Sequence, residues 1–246
     1  MNHEPLNHTP MTSIQITNLQ KTYGKQTALE IDQLHIEPGE LCGIVGNNGA
    51  GKTTLFRLLL DLIAPNRGEA LVNGRKVAQS EHWKAFTGSY LDEGFLIDFM
   101  TPEEYFHFTA NIYGFSKPEV DEALLGYKRF LTDEIAGQKK YIRQLSSGNK
   151  QKVGIVAALI IRPQLLILDE PFNYLDPSSQ ILIKRLLTQD NAARQTTMLI
   201  SSHNLNHITD MCKRIILLEK GKVIKDLRLP NDSLAEVEQY FSMQAE

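Results

Sequence analysis

The sequence predicts an α/β fold with a mainly parallel central sheet, an antiparallel β part and an inserted helical lobe. Three observations lead there. LLILDE (165–170), TTMLIS (196–201) and RIILLE (214–219) are short, largely apolar runs, separated by helical stretches at 149–161, 178–189 and 204–213. Strands buried on both faces read this way, and strand–helix alternation implies a parallel sheet with helices on its faces. The opening half instead alternates like half-exposed strands and carries a hairpin signal, Asn73-Gly74. Between the two, residues 83–115 hold ten of the nineteen aromatic residues, beside a strong helix start.

Taken in order, residues 1–12 form a loose polar tail without the apolar segment of a secretion signal. The main domain spans 13–228. It opens with the strand SIQITNL (13–19), then LHI (34–36) and LCGIV (41–45) around the turn EPGE. TLFRLLLDLI (54–63) has helical length and ends before Pro65. A helical lobe covers about 88–150, and its start at Thr101-Pro102-Glu103-Glu104 combines a hydroxyl cap, an early proline and a third-position glutamate. Residues 229–246 form a C-terminal unit with a helix over 233–242.

Composition narrows the function. The chain has 246 residues, a formal net charge of -3 and a pI near 6.2, so no basic face is expected and no nucleic-acid partner. Cys42 and Cys212 lack metal or redox spacing, and Cys42 lies in an apolar run, as a buried structural thiol in a reducing cytoplasm would. No stretch reaches the roughly 18 to 20 apolar residues of a membrane span, so any membrane role must come through a partner.

GNNGAGKTT (46–54) fits the phosphate-loop pattern and stands between a strand and a helix. Gly46, Gly49 and Gly51 permit a tight loop whose N–H groups, with those of Asn47, Asn48, Ala50 and Thr54, approach phosphate oxygens. Lys52 supplies a cation, and Thr53 a hydroxyl for Mg²⁺. In LLILDE, Asp169 ends the strand as a second Mg²⁺ group and Glu170 is placed to polarise an attacking water. Two acids at a strand end also suit a solvated turn. QLSSGNKQK (144–152) then precedes the apolar run VGIVAALII, so a helix begins there with hydroxyls and free N–H groups, a second anion-binding end.

These three elements, in this order, resemble the ATP-binding subunits of ABC transporters over about residues 13–225. LSSGNKQK is similar to that family's signature motif, LSGGQ, with Ser147 and Asn149 as departures. The resemblance implies that two such subunits, identical or not, pack head to tail with ATP and Mg²⁺ between them. Leu145, Ser146, Ser147, Gly148 and Asn149 of one chain then face the γ-phosphate on the other. It implies that Tyr23 stacks on adenine, that Asp176 in NYLD touches the partner, and that His203 contacts the γ-phosphate. Lys52, Glu170 and His203 become the catalytic set. Where the family has a magnesium-contacting glutamine, the spacing places Asp92, followed by Glu93. A carboxylate there can bind Mg²⁺ but cannot donate a hydrogen bond when ionised. The implied function is ATP hydrolysis powering a separate integral membrane permease from the cytoplasmic face. FMTPEEYFHFTANIYG resembles export-type members. The alternative is a soluble regulatory or repair ATPase that moves no solute. The aromatics of 83–115 serve either a docking cleft for the permease or the core of the lobe.

Overall fold

The computed structural model describes residues 12–235 and 237. A four-stranded antiparallel sheet contains β1 (Ile14–Tyr23), β2 (Gln26–Ile36), β4 (Arg67–Val72) and β5 (Arg75–Lys76) in the order β2-β1-β4-β5. β1 and β2 are longer than the sequence reading, because Gly24, with φ of 59°, lets a two-residue turn join them with Tyr23 opposite Gln26. A six-stranded sheet runs β10-β9-β3-β8-β7-β6. Its members are β3 (Leu41–Val45), β6 (Thr87–Tyr90), β7 (Leu165–Leu168), β8 (Thr197–Ser202), β9 (Arg214–Glu219) and β10 (Lys222–Arg228). The first five are parallel, and β10 adds to β9 antiparallel.

β3, β7 and the middles of β8 and β9 are apolar because both faces are covered. Leu165 and Ile167 of β7 pack towards the antiparallel sheet and α1 (Lys52–Leu59), whereas Leu166 and Leu168 pack towards the lobe. α1 begins two residues before the expected 54 and ends four before 63, since Gly51 caps it and Asp61, at φ of 51°, turns the chain ahead of Pro65.

The lobe holds α2 (Pro102–Ile112), α3 (Lys117–Leu131) and α4 (Ser147–Ile160). Thr101 and Glu104 close the expected capping box: Thr101 N–H donates to Glu104 Oε2 at 2.8 Å and Glu104 N–H to Thr101 Oγ1 at 3.3 Å. The segment expected to open the lobe at 88 is instead the edge strand β6. Its sequence, TGSY, has too little apolar pattern to read as a strand. It sits there because Gly88 lets β6 pack against the Ala158 carbonyl of α4, where a Cβ would stand 2.2 Å from that oxygen. The aromatics divide: Trp83, Tyr90 and Phe106 are buried, while Phe95, Phe99 and Phe108 are exposed. α5 (Pro177–Arg194) outruns its expected span, and α6 (Leu205–Thr209) shrinks to five residues.

Thr12, grouped with the tail in the sequence reading, is buried, and its carbonyl accepts from Thr197 Oγ1 at 2.6 Å. Residues 1–11 and most of the expected closing helix over 233–242 lie outside the described residues. Both cysteines are buried and unpaired.

Candidate nucleotide site

Topology assembles the site before any side chain is considered. β3, β8 and β7 are neighbours in the sheet, and parallel, so their C-terminal ends meet at one edge. The glycine loop leaves β3, His203 follows β8, and Asp169 and Glu170 follow β7. Ligands of open α/β sheets bind at such carboxyl ends.

Two glycines of the loop are dictated sterically. A Cβ on Gly46 would lie 2.4 Å from the Leu218 carbonyl oxygen, and one on Gly51 2.8 Å from that of Ala28. Both residues also have positive φ, which costs other residues backbone strain. Lys52 is buried, and its ammonium donates to the carbonyls of Gly46 at 2.5 Å and Asn47 at 3.3 Å. It also stands 3.2 Å from Glu170 Oε1. Glu170 Oε2 meets His203 Nδ1 at 2.8 Å and the His203 N–H at 3.3 Å. Glu170 has φ of 47°, an uncommon conformation for a non-glycine residue of the kind found at functional sites. It turns the carboxylate out of strand direction and into the loop.

Thr53 Oγ1 donates to Asp169 Oδ2 at 2.5 Å, and Ser201 Oγ donates to Asp169 Oδ1. Burial pushes the Asp169 carboxyl above its ordinary range, against the opposing pull of those two hydroxyls. A hydroxyl beside a buried carboxylate fits Mg²⁺, which takes few protein oxygens and completes its shell with phosphate and water. Asp92 is not gathered there. Its carboxylate accepts from Gly94 N–H at 2.7 Å and lies 4.0 Å from Arg57 Nη2.

A cleft of about 400 Å³ runs from Tyr23 and Gln26–Ala28 across Asn48–Thr54 to Glu170 and Lys220. The structure thus brings half-exposed Tyr23 to the phosphate loop. A second, broader concavity of about 1050 Å³ is lined by Leu145–Asn149, Lys152, Tyr174, Asp176 and the 132–144 segment. It shares no lining residue with the first. Ser146 caps α4, accepting from Asn149 N–H at 3.3 Å. Gly148 is required because a Cβ would sit 2.5 Å from the Tyr174 carbonyl oxygen. Asp176, read from sequence as a subunit contact, is the N-cap of α5. It accepts from the amides and hydroxyls of both Ser178 and Ser179, which hold its carboxyl well below the usual range.

Two residues escaped the sequence reading. Ser201 bridges the acids, since it also accepts from Glu170 N–H at 2.7 Å. Gln151, buried in α4, donates to the Glu170 carbonyl at 3.0 Å and accepts from Tyr90 OH at 3.2 Å. The available signal was a polar residue inside or bordering an apolar run.

A glycine loop on a helix start, with two acids on an adjacent strand end, defines a phosphate-loop nucleotide-binding protein. The chain matches the ABC transporter family over residues 29–173. It is 34% identical to the bacitracin transport ATP-binding protein BcrA of Bacillus licheniformis, across 84% of this chain and 67% of that one. It is 31% identical to the methionine import ATP-binding protein MetN of Carboxydothermus hydrogenoformans, across 82% of this chain and 62% of that one. A solved ATP-binding subunit of an ABC transporter superposes with a TM-score of 0.82 at 27% identity, covering 93% of this chain and 99% of that one. A dimeric ATP-binding cassette in a post-hydrolysis state, bound to ADP and Pi, gives 0.78 at 25% identity, covering 88% and 98%. The chain belongs to the ABC transporter family, and its fold is that of the family's ATP-binding cassettes.

Proposed function

We propose that this chain hydrolyses ATP as one half of a head-to-tail dimer and thereby drives a separate membrane-spanning permease in export. The observation that carries the reading is the pair of unconnected anion-ready sites on one chain. Neither site encloses a nucleotide, and a second copy, or a related ATPase subunit, supplies each with its missing half.

In this reading the loop amides and Lys52 bind the phosphates, and Tyr23 stacks on the base. Thr53 and Asp169 hold Mg²⁺, which neutralises phosphate charge when bound. Glu170 takes a proton from the water whose oxygen attacks the γ-phosphorus, as the bond to the bridging oxygen breaks. His203 orients Glu170 through its 2.8 Å contact. Signature residues 145–149 of the opposing chain, with Asp176 nearby, close over the γ-phosphate. Its loss releases them, and the dimer opens.

Among the described residues no helix is long and apolar enough to cross a membrane. The exposed Phe95, Phe99, Phe108 and Ile112 on the lobe support docking of a permease at the cytoplasmic face. That apolar surface is what the alternative, a regulatory or repair ATPase, leaves without a use. The export assignment rests on the segment 99–114, and a relative named for methionine import shows that the family also serves the other direction.

Complementation tests the shared sites. Lys52→Ala disables the phosphate loop, and Ser146→Arg blocks the signature end. Mixed dimers contain one site with both lesions and one intact site. Mixing the two inactive proteins is expected to restore part of the ATPase activity. No recovery, with mixed dimers shown by cross-linking, sinks the shared-site reading. Purification from native membranes is expected to bring down a polytopic partner.

A further inference from the structure

We propose that Glu103, His107 and Asp121, on the outer side of the lobe, form a binding site for a divalent first-row transition-metal ion such as Zn²⁺, held between α2 and α3. The site shares no residue with the nucleotide cleft and stands independently of the shared-nucleotide reading.

Glu103 and His107 are four residues apart on α2, so their side chains share one helix face. Asp121 comes from the second turn of α3. His107 Nε2 lies 3.0 Å from Asp121 Oδ1 and 3.9 Å from Glu103 Oε1, and one ligand atom from each residue falls within 4.8 Å of the others. Bonds of about 2.0 to 2.2 Å to a tetrahedral Zn²⁺ set ligand atoms about 3.3 Å apart, between the two distances seen. One imidazole with two carboxylates suits Zn²⁺ and its first-row neighbours, whereas Mg²⁺ and Ca²⁺ take oxygens. The backbones are already fixed, because Phe106, Ala110 and Val120 are buried in the core of the lobe. His107 Nδ1 is buried without a partner, so Nε2 is the ring nitrogen a metal can reach. Closure asks only the 58% exposed Glu103 side chain to move.

A second observation points the same way: the chain's own cation already sits at this place. Lys117 Nζ donates to Asp121 Oδ2 at 3.2 Å and to Oδ1 at 3.4 Å, and stands 3.4 Å from His107 Nε2. The ammonium is an internal stand-in for an ion, on the side where imidazole and carboxylate lone pairs converge. It is a replaceable one. The Lys117 side chain is 67% exposed on a flexible stem, and exposed ammonium–carboxylate pairs are weak. Two carboxylates match the charge of a dication, whereas Lys117 matches one of them. A bound ion then ties α2 to α3 across the connection 113–116 and stabilises the lobe.

The test is calorimetric titration of the full chain with Zn²⁺, without nucleotide or Mg²⁺. Cys42 and Cys212 are buried and do not compete. One binding event is expected to depend on this cluster. His107→Ala and Asp121→Asn are expected to weaken it by about tenfold or more, the scale of one lost charged contact. Lys117→Met removes the competing ammonium and is expected to tighten it severalfold. Zn²⁺ is expected to raise the unfolding temperature of the parent more than that of His107→Ala. With Co²⁺ as the probe, the visible spectrum is expected to show nitrogen and oxygen ligation. Should His107→Ala fail to fold, His107→Gln makes the same comparison. The proposal is overturned if no His107-dependent binding is found at Zn²⁺ up to about 1 mM, the weak end of specific affinity. It is equally overturned by a sulfur-to-cobalt charge-transfer band, or by Lys117→Met binding Zn²⁺ no more tightly than the parent.

Discussion

The phosphate cleft and the signature concavity both lie at helix starts, yet they are finished to different degrees. In the cleft each proposed catalytic or metal-holding side chain already has a partner: Lys52 with Glu170, Glu170 with His203, Thr53 and Ser201 with Asp169. In the concavity one serine caps the helix through a 3.3 Å contact, and the Asp176 carboxylate stands 4.0 Å from the Lys152 ammonium. The difference teaches where pre-organisation resides. A chain can build the chemical half of its site by itself. In the proposed dimer, the half that meets a second chain stays open.

The largest expected effect tests the cleft. Glu170→Gln removes the proposed base but keeps the shape, so ATP hydrolysis is expected to fall by roughly a hundredfold or more while ATP binding persists. Near-normal turnover in a steady-state assay takes Glu170 out of that role. A smaller effect follows at the far wall. Stacking is nearly equal in ground and transition states, so Tyr23→Ala is expected to raise KM for ATP by up to about tenfold with little change in kcat. An unchanged KM places the base elsewhere.

On the other side of the comparison the effects fall on stability. Asp176→Ala loses the cap of α5 and is expected to cost about 1 kcal/mol in urea unfolding at neutral pH. The fold depresses the Asp176 carboxyl through Ser178 and Ser179, so its contribution is present above the unfolded value near 3.9 and lost as pH falls towards the folded value. The gap between variant and parent should therefore narrow in acid. A constant gap from pH 7 to pH 3 contradicts the charge-based account. Smallest of all, Asn149→Ala removes an exposed contact to Glu134 and is expected to change stability by less than about 0.5 kcal/mol. A larger loss means that Asn149 anchors the concavity instead of merely lining it.

The sequence shows the phosphate cleft well because its chemistry is contiguous. GNNGAGKTT and LLILDE each carry loop, cation or carboxylate within a few residues, and apolar runs place them on strand ends. β7, β8 and β9 are legible for the same reason, being largely apolar on both faces. What is not legible depends on distant pairing. β6 becomes a strand only because β7 lies beside it and Gly88 admits the Ala158 carbonyl. Ser201 reaches acids 31 and 32 residues away, and no local pattern announces that. Asp92 fits the glutamine position by spacing alone, while its capping bond and Arg57 appear only in three dimensions.

Gln151 has a consequence for kinetics. It fastens the Glu170 carbonyl to α4 of the same chain. In the proposed dimer Glu170 faces the chain's own nucleotide, whereas the start of α4 faces the partner's. One side-chain amide then spans two sites, and occupancy of either biases the other. Hydrolysis is expected to rise sigmoidally with ATP, with a Hill coefficient above one and at most about two, the number of sites. In a Gln151→Leu variant, the curve is expected to relax towards a hyperbola.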